Sequence, residues 1–442
     1  MTTTSAPTSL DRHLGLPGVV MFGLAYMAPL IVLGTFGIVA GTTGGAVPSA
    51  YLLALVAMLF TAASYGKMAA VHPVAGSAYT YVRKSVDSRL GFLVGWAVLL
   101  DYFFLPMVIW LIGGAYLSAE FPSVPGWLWL ITFIVLTTLL NVLGIKVAAK
   151  ANFVLMAFQI LVIGFFVVLS IKQVLSDCGG LASTDPFFHT GTSLSTVSGG
   201  AALAAYSFLG FDAVTTLTEE TIEPRKTIPR AILLTALIGG AVFIVLAYFT
   251  QLAHPGSTFD DESSAAFEIA TKIGGNLFAS FFLAGLVVAQ FASGIAAQAS
   301  ASRLMYAMGR DGVLPRLFAY LQPRLKTPAV GIVLTGLVGL IALALDVSTS
   351  TSFINFGAFT AFTFVNVSVI ATWLRERHTT PRPILTWVVA PAIGALVDLW
   401  LLVNLDGIAL IFGLSWLALG VLYLCVLTRL FRRPPPEMTF ED

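Results

Sequence analysis

Apolar runs of about 20 residues follow one another along almost the whole of this chain, and that is the length a helix needs to cross a bilayer. Twelve can be read, at 16–39, 48–70, 90–118, 126–144, 149–171, 196–217, 229–252, 276–303, 328–345, 352–373, 384–404 and 407–431. In hydrocarbon there is no water to pair with peptide groups, so a single spanning segment must be a helix that satisfies its own backbone. The chain therefore reads as an all-α membrane protein with twelve transmembrane helices. Composition agrees, since 57% of the 442 residues are hydrophobic and 10% are charged, where soluble domains carry about 25% charge. No stretch between the runs is long enough for a separate soluble domain. The first 15 residues are polar and lack the n-region and cleavage site of a signal peptide.

The basic residues orient the chain. With the N-terminus inside, 21 of the 23 Lys and Arg fall in inner loops and ends, and only Lys172 and Lys272 fall outside. By the positive-inside rule the tails at 1–15 and 432–442 are both cytoplasmic. Arg12 then shares a side with Arg429, Arg432 and Arg433, which requires an even number of spans. The net charge of +1 carries no signature of nucleic acid. Cys178 falls in an outer loop and Cys425 in the last span, so no disulfide is expected. The five histidines are scattered and none is spaced as a metal-ligand pair. No nucleophile–base pair is visible, so neither an enzyme nor a cofactor is expected.

Two spans look interrupted. The first reads Gly23-Leu-Ala-Tyr26-Met-Ala-Pro29-Leu-Ile-Val-Leu-Gly34, and Pro29 removes a donor and crowds the preceding turn. The sixth weakens at Ser207-Phe-Leu-Gly210. Five spans from each of these starts divide the chain into a first repeat at 16–171 and a second at 196–373, with the last two spans at 384–431. Because five is odd, the second repeat enters from the opposite side. This 5+5 inverted repeat with paired broken helices marks a solute site at mid-membrane.

Three acidic residues fall inside spans, namely Asp101, Asp212 and Asp398. An ionised carboxylate at bilayer depth costs roughly 2.5–3.5 kcal/mol on insertion scales. Asp101 lies about 16 Å into its span at 1.5 Å per residue, and Asp212 follows the break in the sixth. No Lys, Arg or His falls well inside any span, so a cationic solute or a proton is the natural neutraliser. Asp398, in the eleventh span, reads instead as a hydrogen-bonded residue between helices. Tyr26, Tyr102 and Tyr206 each sit beside a break or an acid, where a ring face stabilises an ammonium by about 0.5–2 kcal/mol.

Three longer motifs carry a family resemblance. They are Pro73-Val-Ala-Gly-Ser-Ala-Tyr79-Thr-Tyr81, Glu219-Glu220-Thr-Ile-Glu-Pro224-Arg-Lys-Thr-Ile-Pro229-Arg-Ala-Ile, and Ala301-Ser-Arg-Leu-Met-Tyr-Ala-Met-Gly-Arg310-Asp-Gly-Val-Leu-Pro315. In this order and on the inner side, the chain resembles the amino acid–polyamine–organocation transporters over essentially its whole length. Within that superfamily it resembles bacterial putrescine importers, through Gly23–Pro29, Gly95–Pro106, Phe208–Thr221 and Asn355–Asn366.

The resemblance implies a leucine-transporter-type fold working by alternating access in the bacterial inner membrane. The expected activity is uptake of putrescine or a similar small polyamine, with a proton as co-transported ion. It further implies that Tyr102 contacts substrate, that Tyr206 gates, and that Glu219 and Glu220 form an inner gate or carry the coupled proton. Related amino acid transporters usually place a Gly-Ser/Ala-Gly run at the first break, whose N–H groups cradle the substrate carboxylate. Here the stretch is Tyr26-Met-Ala-Pro-Leu, which suits a substrate without a carboxylate. Some relatives carry a mid-span lysine in place of a sodium ion, and Gln159 occupies that place here. The binding residues expected are Tyr26, Asp101, Tyr102, Tyr206 and Asp212. The competing expectation is an amino acid/proton symporter or exchanger of the same superfamily.

Overall fold

The computed structural model describes residues 14–73, 77–144, 149–177, 180–218, 220–310, 312–325 and 327–435. Glu219, Cys178, most of the N-terminal tail and the end of the C-terminal tail lie outside them. Among the described residues the chain is helical, with one parallel bridge between Leu14 and Thr221. The α-helices in order are α1 (Leu16–Met27), α2 (Ile31–Gly34), α3 (Phe36–Thr43), α4 (Val47–Val71), α5 (Ser77–Ser85) and α6 (Ser88–Glu120). They continue with α7 (Gly126–Val142), α8 (Ala149–Ser176), α9 (Leu194–Ala204), α10 (Pro224–Ala253) and α11 (Ala265–Arg310). The last are α12 (Ala329–Gly339), α13 (Val347–Glu376), α14 (Ala390–Val403) and α15 (Gly407–Leu427). Ten helical segments are long and apolar enough to cross a membrane. The runs at 126–144 and 328–345 form the shorter apolar helices Gly126–Val142 and Ala329–Ala344.

Several boundaries differ from the apolar runs for local reasons. The helix α10 starts at Pro224, before the polar Arg225-Lys-Thr, because proline with its preset φ is well placed in a first turn. An Asp87 cap accepting from the Arg89 and Leu90 amides starts α6 two residues early. Gly275, at φ 69 and ψ −177, kinks α11.

Burial ranks the spans. The segment Leu194–Leu217 is 83% buried and Val347–Glu376 72%, whereas Leu385–Val403 and Gly407–Leu427 are 22% and 17% buried. The last two helices therefore sit at the periphery. Around the centre, α4 packs chiefly on α10, α6 on α11, and α13 on α6 and α14. Aromatic rings fill the interior, where Tyr65 meets Tyr81, Phe211 and Phe362 edge-on at 5.7–6.0 Å.

Both expected interruptions are present. The helix α1 stops at Met27, and Ala28 takes a left-handed conformation at φ 46 and ψ 80. The helical region is disfavoured for a residue preceding proline, which here is Pro29. The chain resumes as α2 and α3. In the second interruption α9 tightens into a 3-10 turn at Ala205–Phe208. Leu209 is then extended at ψ 127, Gly210 has φ 114, and a second 3-10 turn runs over Ala213–Leu217.

The two breaks pack on each other. A Cβ placed on Gly210 would stand 2.2 Å from Tyr26 Cδ1, so the Tyr26 ring lies against the bare glycine. Neighbouring polar side chains hold the second break. Asn355 Nδ2 donates to the Ala202 carbonyl at 2.7 Å, and the Tyr51 and Ser207 hydroxyls meet at 3.1 Å. Such partners are what permits irregular backbone at membrane depth.

Asp398 is fully buried between α4, α13 and α14. Its Oδ2 accepts from Thr61 Oγ1 at 2.7 Å and Asn366 Nδ2 at 3.0 Å, while Ser64 Oγ donates to Asn366 Oδ1. The expected interhelical role holds.

Replacing Asp398 by Ala takes the acceptor from Thr61 Oγ1 and one of three from Asn366 Nδ2, which keeps Thr61 Oγ1 and the Phe362 carbonyl, and should remove roughly 1–3 kcal/mol. A lowered thermal midpoint of the purified protein in detergent would show it, and an unchanged midpoint would mean the network contributes nothing. Gly210→Ala should be worse tolerated than Gly256→Ala. Both positions have positive φ, but only Gly210 meets a ring, and the strain alone is of order 1–3 kcal/mol. Folded yield after size exclusion measures the difference, and equal yields would argue against ring contact as the reason for Gly210.

Candidate functional site

The sequence-predicted residues gather where the two interruptions meet. Tyr26 ends α1, Asp101 and Tyr102 lie on α6, Tyr206 is in the first 3-10 turn, and Asp212 caps the second. Both carboxyl groups are within electrostatic reach of Tyr26 and Tyr102, and Asp101 also reaches Tyr206. The two acids sense each other as well. Tyr65 and Tyr81 are also within electrostatic reach of Asp212. Four segments far apart in sequence thus converge on one acidic, aromatic centre.

The two acids differ in what holds them. Asp212 stands where the chain turns at Gly210, with the backbone of Gly210, Asp212 and Ala213 beside its carboxylate and the Ala213 amide donating to the Gly210 carbonyl at 3.1 Å. Asp101 lies in an unbroken helix whose amides are spent on i→i−4 bonds, and its Oδ1 is buried without a hydrogen-bond partner. The hydroxyls of Tyr65 and Tyr81 are likewise buried and unpartnered. Among the described residues neither acid is in an ion pair. Unpartnered buried acceptors are rare in folded proteins, and Asp398 Oδ1 is another among the described residues.

A cavity of about 130 Å³ touches both interruptions. Tyr26 and Tyr206 line it, whereas Asp101, Tyr102 and Asp212 do not. Its other walls include Leu105 and Ile109, one and two turns beyond Asp101 on α6, with Gln159 from α8 and Gln290 and Ser293 from α11. It is far below the 300–1,000 Å³ of drug-sized pockets and close to an engineered cavity of 150 Å³ that accepts benzene. A small solute fits this space.

At the first break, the Ala28 amide is spent on the Ala25 carbonyl at 3.3 Å and Pro29 has no N–H. Those two positions offer a substrate carboxylate nothing. Away from the centre, the Leu14 amide donates to the Glu220 carbonyl at 3.0 Å and the Ile222 amide to Leu14 at 2.9 Å. The start of α1 is thereby tied to the segment after the sixth span. Glu220 contributes backbone to this contact, and its side chain forms no ion pair among the described residues. Lys226 pairs instead with Glu223 at 3.0 Å.

Some residues of this centre escaped the sequence reading. Tyr65 is one more aromatic in an apolar span and leaves no signal. Tyr81 stood in a motif without a role attached. Gln290 is one of three amides in its run, with Asn276 and Gln298, and nothing local singles it out.

The model of the amino acid permease family matches residues 18–398. The low-affinity putrescine importer PlaP of Escherichia coli (strain K12) is 42% identical over 448 aligned positions, covering 100% of this chain and 99% of its own length. The branched-chain amino acid permease BcaP of Bacillus subtilis is 26% identical, covering 95% of this chain and 93% of its own. Cationic amino acid transporter 4 of Mus musculus is 30% identical over 86% of this chain and 62% of its own. These relatives are transporters, as the sequence led one to expect. By its family match and its full-length likeness, the chain belongs to the amino acid permease family of membrane transporters.

Proposed function

We propose that this chain is a secondary active importer of putrescine or a similar small polyamine in the bacterial inner membrane, coupled to protons and working by alternating access. The observation that carries the reading is the pair Asp101 and Asp212, two carboxyl groups in an aromatic centre with no protein cation paired to them among the described residues. A diamine supplies the missing charge and the missing donors. Tyr26, Tyr102 and Tyr206 complete its binding site, with Tyr206 as gate. The likeness to a protein named as a putrescine importer supports the same substrate.

In this reading the ten candidate spans and the two shorter apolar helices form twelve membrane helices, the first ten as a 5+5 inverted repeat around the two breaks. Both termini are cytoplasmic. Glu220 then lies at the inner gate, beside the backbone contact of Leu14, and either it or its chain neighbour Glu219 is a candidate for the coupled proton. Moving one charge across 100 mV is worth about 2.3 kcal/mol. A dication entering a negative interior gains about 4.6 kcal/mol, or roughly a thousandfold accumulation, so the membrane potential favours import of this substrate.

The competing reading is an amino acid/proton symporter or exchanger, which the likeness to BcaP favours. Counterflow in proteoliposomes separates the two. Labelled putrescine should exchange while branched-chain and cationic amino acids do not compete, and the reverse pattern would overturn the amine reading. Asp101→Asn and Asp212→Asn should each reduce putrescine uptake at least tenfold with normal membrane insertion, whereas Asp398→Asn should not. Uptake near the parent level in either of the first two variants would remove that residue from the site.

A further inference from the structure

Gln159 sits in the wall of the cavity at the two interruptions, 7% exposed, and its Oε1 has no hydrogen-bond partner. Leaving a buried carbonyl unpaired costs about 1–3 kcal/mol. Most of the cavity lining is apolar, Leu105, Ile109, Met27 and Ile31 among it, with Gln159, Gln290 and Ser293 as polar groups. Tyr26 and Tyr206, also in the lining, are within electrostatic reach of Asp101. Leu105 is four residues beyond Asp101, about 6 Å along α6, so the cavity begins about one turn from the carboxyl. A four-carbon diamine joins its nitrogens by five bonds of about 1.5 Å, a zigzag of roughly 6 Å. Its length is comparable to the one helical turn between Asp101 and the cavity wall at Leu105, and its volume suits a cavity of about 130 Å³.

We propose that Gln159 Oε1 is the subsite for the second ammonium of a diamine whose first ammonium is held at Asp101, and that this residue sets the preference for diamines over monoamines. An ammonium carries three donors and no acceptor, so an unpaired carbonyl is a fitting partner. The methylenes lie on Leu105 and Ile109. The inference rests on the amine reading above and adds to it the place where the far end of the substrate is recognised. A monoamine of the same chain length would leave Gln159 Oε1 unpaired and bind less well.

The test is counterflow competition in proteoliposomes with the full chain, using putrescine, butylamine and leucine as unlabelled competitors. In the parent, putrescine should compete about tenfold or more better than butylamine. In Gln159→Leu and Gln159→Met that ratio should collapse towards one, through loss of putrescine affinity with butylamine unchanged. Gln159→Glu should keep or raise the ratio, since a carboxylate is a stronger partner for an ammonium. A parent that exchanges leucine and ignores putrescine would overturn the amine reading as a whole. A parent selective for putrescine whose ratio survives in the folded apolar variants, or falls in Gln159→Glu, would overturn the Gln159 subsite alone.

Discussion

The dryness of the bilayer governs this molecule, because every peptide group that leaves a helix at depth must find another partner. Two segments do leave, at Ala28–Leu30 and at Leu209–Asp212. They are held because they lean on each other and on the most buried helices. The Tyr26 ring rests on Gly210, Asn355 of α13 donates to the Ala202 carbonyl, and Tyr51 of α4 meets Ser207. The arrangement of α4, α6 and α13 around that point follows from the same need, and so does the site.

The three acids within spans show how one residue type takes different parts. Asp398 accepts at Oδ2 from Thr61 and Asn366 and ties three helices together, while its Oδ1 has no partner. Asp212 stands at the break itself, beside the turn at Gly210. Asp101, in an unbroken helix, has an oxygen with no partner. From the sequence Asp212 was the more conspicuous acid, because it follows the weak Ser207–Gly210 stretch. The structure makes Asp101 the less satisfied of the two, and in the proposed transporter it is the one a substrate ammonium serves most directly.

Much of this was legible in the chain. Among the described residues the apolar runs located ten helices long and apolar enough to span and two shorter ones, most within a few residues, because the length of a span is imposed by the solvent rather than by its neighbours. Helix α11 nonetheless begins 11 residues before and ends 7 after the run at 276–303. Pro29 and Gly210 marked the breaks through backbone chemistry alone. The 355–366 motif was legible as a motif, yet its two asparagines acquire roles only through contact, Asn355 with the broken helix and Asn366 with Asp398. Tyr65 and Gln290 were passed over because nothing local separates them from other residues of apolar spans.

The sequence by itself determined that this chain lives in a membrane, where its helices run, where two of them break, and which acids lie at depth. Those properties depend on single residues and on the surrounding lipid. Only the tertiary structure decided which break faces which, which acid keeps an unpaired oxygen, and that Gln159 shares a cavity with Tyr26 and Tyr206. Those relations join residues 47 to 184 positions apart, Gln159 with Tyr206 and Tyr26 with Gly210. They are set by the packing of one helix against another, which the periodicity of an all-apolar span does not encode.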